Sequence, residues 1–235
     1  MVRQCVGICR DGLCRVSVDM VRSILRSAKS VLFDFDGPLC HVFAGLPAPT
    51  IANDLARIIG REVDTNDPLE VLTLATGFGA ATAKRVEDAL IVAEVAAVES
   101  SIATPGGIES IRACLAAGLP AGIVSNNSAP AIEVFLARWD LLEQVKPVVG
   151  RTYLHPEWMK PNVRPLSQAL GELQCLPGDT VFVGDSDTDI EVARTVGVPC
   201  VAYANKPGKR ARFTASGVAV VDSMWAVVAA IQERT

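Results

Sequence analysis

Apolar residues first gather into a short run at Val31-Leu32-Phe33, which Asp34 interrupts, Phe35 resumes and Asp36-Gly37-Pro38 ends. Such a run, bounded by turn residues, predicts a buried strand. From residue 104 the rhythm repeats. Thr104-Pro105 offers a capping hydroxyl and a proline for a helix start; Ile108, Ile111 and Leu115 form its apolar stripe, and Gly118 and Pro120 close it. Then follow "AGIVS" (strand), "APAIEVFLARW" (helix), "KPVVG" (strand), "VRPLSQALGEL" (helix), "TVFVG" (strand) and "TDIEVARTVG" (helix). "VPCVAY" and "VAVV" read as further strands, and "SMWAVVAAIQE" as a terminal helix. This alternation predicts an α/β fold: a mainly parallel sheet with helices on both faces.

Between the first strand and Thr104 the pattern is helical. "TIANDLARIIG" carries Ile51, Leu55, Ile58 and Ile59 with Gly60 as a stop, and the stretch from Ala80 places Val86, Leu90, Val95 and Val98 on or near one face. Residues 41–103 are therefore expected to form an inserted helical domain, and residues 20–40 and 104–235 the α/β core. Residues 1–19 lack clear periodicity and are expected to be a flexible extension ahead of a short helix opening at Met20.

Half of the 235 residues are apolar and a fifth charged, which suits a packed core and excludes a disordered chain. The net charge of -4 provides no basic footprint for nucleic acid or for an anionic membrane. No apolar run reaches the ~18 residues that span a bilayer. Seven scattered cysteines, with Cys5, Cys9 and Cys14 lacking the paired spacing of a zinc site, read as reduced thiols of a cytoplasmic protein. The oligomeric state is left open.

The strands of interest end in polar residues: Asp34 and Asp36, then Ser125-Asn126-Asn127, then Asp185 to Asp189. Parallel sheets bind ligands at the carboxyl ends of their strands, so the three endings are expected to converge, with Lys160 reaching the same rim from a loop. Taken singly, each has a structural reading: a strand-ending turn, a helix cap, a solvated lysine, an acidic helix N-terminus. Taken together, crowded carboxylates call for a cation, and oxygen-only ligands suit Mg2+ rather than zinc. His41 and His155 read as cap and loop residues. A carboxylate beside magnesium can attack phosphorus while a second moves the proton.

The ordered set "DFDGPL", "VSNN", "WMKPN" and "VGDSDTD" resembles the four motifs of the haloacid dehalogenase superfamily, over about residues 30 to 205. The layout is similar to its phosphoglycolate-phosphatase and phosphomutase branch, which has a small helical cap. The resemblance implies a Rossmann-like core and a Mg2+-dependent phosphatase acting on a small soluble phosphomonoester through an aspartyl-phosphate. It implies Asp34 as nucleophile and metal ligand, and Asp36 as general acid/base with its carbonyl facing the metal. Ser125 and Asn126 would bind phosphate, Lys160 would balance charge, Asp185 would ligate the metal and Asp189 would support it. Asp187 is a further contributor or a solvated loop carboxylate.

The family's first motif usually has threonine where this chain has Pro38, which cannot make that side chain's loop-fixing hydrogen bond; altered loop detail is expected. A phosphomutase, or a binding protein that keeps the fold, remains an alternative. Asp36 argues against a dehalogenase. A phosphonate-cleaving enzyme would need Lys84 as its amine, and Lys84, Arg85 and Arg61 are either anion contacts or solvated charges.

Overall fold

A computed structural model describes residues 12–234. Helix α1 (Gly12–Ser27) leads into β1 (Ser30–Phe33), so the helix expected from Met20 already begins at Gly12. The rest of the expected N-terminal extension, with Cys5 and Cys9, lies outside the described residues. The core continues with α5 (Gly107–Ala116), β4 (Ala121–Val124), α6 (Ala129–Arg138), β5 (Val148–Val149), α7 (Arg164–Leu173), β6 (Thr180–Gly184), α8 (Asp187–Val196), β7 (Cys200–Tyr203), α9 (Lys209–Ala215), β8 (Ala219–Val221) and α10 (Met224–Gln232). The six strands pair in parallel in the order β5-β4-β1-β6-β7-β8. The predicted α/β architecture is the observed one.

Alternation along β1 sorts the core into two layers, because successive strand residues face opposite sides. Val31 and Phe33 join Leu25 of α1, Ile111 of α5, Phe135 of α6 and Val227 of α10. Leu32 points the other way, to Phe182, Leu166 of α7, Ile190 of α8 and Phe213 of α9.

Residues 48–99 form α2 (Ala48–Ile59), α3 (Pro68–Ala75), a 3₁₀ turn (Thr76–Phe78) and α4 (Ala80–Glu99). Gly60 ends α2 at φ +77°, a left-handed conformation that glycine adopts without a Cβ clash. These helices share their own apolar cluster, including Ile51, Leu55, Val71, Leu72, Val86 and Leu90. Two strands of two residues each, β2 (Cys40–His41) and β3 (Ile102–Ala103), pair antiparallel where the chain leaves and re-enters the core.

One predicted helix start is corrected. Helix α5 begins at Gly107, with Gly106 and not Thr104 at its N-cap. The Thr104 hydroxyl instead donates to the Gly37 carbonyl at 2.6 Å, and its N–H donates to Leu39 O at 2.9 Å. The loop after β1 has recruited the group that looked like a cap. It also receives there a side-chain hydrogen bond that Pro38 cannot supply.

Candidate active site

Because β4, β1 and β6 are neighbours, Ser125, Asp34 and Asp185 emerge side by side at the carboxyl rim of the sheet. Asp34 is 7% exposed. Its Oδ1 accepts the Phe35 N–H at 2.7 Å and is ion-paired to Lys160 Nζ at 2.8 Å. Half-buried Asp36 accepts the Val42 N–H at 3.0 Å. Between this loop and Asp185 there is no room for a side chain: a Cβ on Gly37, whose φ is +105°, would lie 2.5 Å from Asp185 Cγ.

Lys160 is buried, and its ammonium has as many acceptors as donors: Asp189 Oδ1 at 2.7 Å, Asp34 Oδ1 at 2.8 Å and Val124 O at 3.2 Å. The side chain of Asn126 fixes the lysine's backbone from both sides, accepting Lys160 N–H at 2.8 Å and donating to Lys160 O at 3.2 Å. That amide is thereby committed to positioning Lys160. Ser125 Oγ accepts the Asn127 N–H at 3.2 Å.

Asp189 is fully buried. Its second oxygen accepts the Asp185 N–H, the Ser186 N–H and the Ser186 hydroxyl, at 3.1, 3.0 and 2.6 Å, in a capping box that starts α8. A Cβ on Gly184 would collide with this side chain at 2.5 Å, which explains the glycine that ends β6. Asp185 Oδ2 accepts from Lys209 Nζ at 2.6 Å and Asn205 Nδ2 at 2.8 Å. Asp187, in contrast, is an exposed partner of Arg212 at 3.2 Å.

One carboxylate oxygen each from Asp34, Asp185 and Asp189 lies within 4.8 Å of the others. Among the described residues two ammonium groups, those of Lys160 and Lys209, form ion pairs with these carboxylates and none with Asp36. The four carboxyl groups thus outnumber their paired cations by two, an excess that suits a divalent ion with oxygen ligands.

The pKa directions follow from the burial. Loss of water pushes the Asp34 carboxyl up to about 7; Asp189 and Asp185 add to the rise, and Lys160 opposes it. Burial also raises Asp36, against the Val42 N–H bond. For Lys160 burial works against the charge, but Asp189 and Asp34 outweigh it and hold the ammonium above its ordinary value.

A second buried charge group ties α4 to this rim. Arg151, in the loop after β5, pairs with Glu87 and Glu94 of α4, both at 2.8 Å, and donates to the Asn126 carbonyl at 2.8 Å. Glu94 also accepts the Ser128 N–H at 3.0 Å and Asn127 Nδ2 at 3.3 Å. Arg151, Glu94, Thr104, Asn205 and Lys209 stand outside the motifs that mark this rim in the sequence. Only the basic spacing in "NKPGKR" offered a signal, and then only for Lys209.

The rim opens into a cavity of about 680 Å³, shared with Phe43, Met159 and the start of α3. Neither histidine lines it: His41 is exposed, and His155 stacks on Trp158 and contacts Glu157 at 2.8 Å. Lys84 is paired with Asp88 at 2.6 Å and Arg61 lies over the Phe78 ring; neither they nor Arg85 line the cavity.

Fold and rim together place a cluster of carboxylates at the carboxyl end of a parallel sheet. The family described as haloacid dehalogenase-like hydrolase matches residues 80–203, more than half of the chain, and the protein belongs to that family. The chain is 28% identical over 200 residues to a phosphoglycolate phosphatase of Rhodospirillum rubrum, covering 76% of this chain and 82% of that one. An uncharacterized hydrolase of Saccharomyces cerevisiae is 28% identical over 184 residues, covering 77% and 79%. Among solved structures, CbbY of Rhodobacter sphaeroides, crystallised with phosphate, shares the fold at a TM-score of 0.63 and 19% identity, over 84% of this chain and 95% of that one. No helix among the described residues is long and apolar enough to cross a membrane. Cys40, Cys114, Cys175 and Cys200 are free thiols.

Proposed function

We propose that this hydrolase is a magnesium-dependent phosphatase of small soluble phosphomonoesters, with Asp34 as its nucleophile. The observation that carries the reading is the buried Asp34 carboxylate at the end of the central strand, 2.8 Å from Lys160 and opening onto the cavity. Asp34 attacks phosphorus and the ester P–O bond breaks, leaving an aspartyl-phosphate. Asp36, whose pKa is raised by burial, gives its proton to the departing alkoxide. It then takes a proton from water, which attacks the same phosphorus; the bond to Asp34 breaks and phosphate leaves. The Ser125 hydroxyl and the Asn126 N–H hold phosphoryl oxygens, and Lys160 balances their charge.

Asp34, Asp185 and the Asp36 carbonyl would hold the metal, which offsets charge on the phosphoryl group. The excess of carboxylates over paired ammonium groups supports this fit. Asp189, with both oxygens engaged, positions Lys160 and the Asp185 loop. Free thiols support a cytoplasmic location.

The test is phosphate release from a panel of phosphomonoesters with and without magnesium. Asp34→Asn is expected to lower turnover by about 10³-fold or more. Release that survives in this variant would refute the assignment.

A further inference from the structure

Among the described residues the cavity has one cationic side chain in its lining, Lys160, and that ammonium already serves Asp34, Asp189 and a backbone carbonyl. The remaining wall includes the approach to α3 and its first two turns: Asn66, Asp67, Glu70 and Thr73. Both carboxylates there are held in place. Asp67 accepts the Leu69 N–H at 2.9 Å as the N-cap of α3, and Glu70 accepts the Thr65 hydroxyl at 2.5 Å. The helix end that would otherwise attract an anion is thus occupied by the protein's own carboxylate. The cations of the helical unit that the sequence offered as anion contacts lie outside the lining, Lys84 on Asp88 and Arg61 on Phe78.

A substrate seated with its phosphate on Ser125 and Lys160 must extend its alcohol portion into the rest of this cavity. A second anionic group there meets two fixed carboxylates and, among the described residues, no counter-cation, and like charges brought together weaken binding. We propose that the cavity selects phosphomonoesters whose alcohol portion is neutral or cationic, bearing hydroxyls or an amine, and that Asp67 and Glu70 determine this selectivity. The inference rests on the phosphatase reading above, and it predicts a substrate unlike the carboxylate-bearing phosphoglycolate named for the relative in Rhodospirillum rubrum.

The test is kcat/KM, with magnesium, for p-nitrophenyl phosphate, phosphoglycolate, glycerol 3-phosphate and phosphoethanolamine. It is run on the wild type, Glu70→Gln and Asp67→Asn; asparagine keeps the N-cap acceptor. The readout is the ratio of the uncharged or amine substrate to phosphoglycolate, in which a general loss of turnover cancels. The wild type should favour glycerol 3-phosphate or phosphoethanolamine, and each variant should narrow the ratio by about threefold, the scale of one exposed charge pair. Preference for phosphoglycolate, or a ratio that neither variant moves, overturns the inference while p-nitrophenyl phosphate turnover keeps the phosphatase reading intact. No magnesium-dependent turnover of any of the four removes that reading, and the inference with it.

Discussion

The α/β core and the α3 wall of the helical unit treat charge in opposite ways. In the core, Asp34, Lys160 and Asp189 are almost out of water, and each is tied to at least two partners. On the helical unit, Asp67 and Glu70 stand exposed at the cavity wall, each held locally to its own helix start. A buried ion costs several kcal/mol unless it is paired, so the core geometry tolerates little change. An exposed carboxylate is screened and exchangeable. On the function proposed above, Asp34 and its paired lysine therefore sit where charge is hard to move, and the carboxylates proposed to select the substrate sit where it is easy to alter.

Arg151 is where the two regimes meet, because one guanidinium serves α4 and the Asn126 carbonyl together. Arg151→Met would break the contrast most strongly. It leaves Glu87 and Glu94 buried without a cation and should lower unfolding stability by about 3–5 kcal/mol, measured by urea denaturation. A loss below about 1 kcal/mol would mean that the carboxylates reach water and the junction is not buried in solution.

Proton and metal should compete at the core carboxylates. Folding raises the Asp34 carboxyl to about 7, so its ionised form costs stability above that pH and the cost fades as pH falls towards about 4. Magnesium bound through Asp34 needs the ionised form, so its affinity should fall by up to about tenfold per pH unit below about 7. Calorimetric titrations at about pH 6 and about pH 8 would sharpen the point; equal affinities would exclude Asp34 as a ligand that must shed a proton. The smallest effect belongs to the helical unit. Glu70→Gln should change stability by no more than about 0.5 kcal/mol in the same denaturation experiment, against the large loss at Arg151.

Much of the core was legible because strands announce themselves locally. The runs at residues 31, 121 and 180 and their polar endings need only the strand period and the rule for parallel sheets. The loop details were not, because each depends on a partner far along the chain. Thr104 serves Gly37 across 67 positions, and the Asn126 side chain serves the Lys160 backbone across 34. Glu87 and Glu94, seven apart on α4, look like a solvated stripe, since the arginine that buries them lies 57 or more positions away. Helix α9, which delivers Lys209 to Asp185, is only seven residues long and has no side-chain cap to signal its start.

The short ladder of Cys40-His41 with Ile102-Ala103 brings the two ends of a sixty-residue excursion to adjacent points. The helical unit is in this sense a cassette, removable at a single doorway without re-routing any strand of the sheet. A transplanted unit would arrive with its own cavity wall and leave Asp34 where it was. It would not be self-sufficient, however, for Arg151 stays behind in the core. An exchange that omits carboxylates at the positions of Glu87 and Glu94 would strand that guanidinium in the interior, so the compatibility of a donor unit is decided by two residues on its last helix.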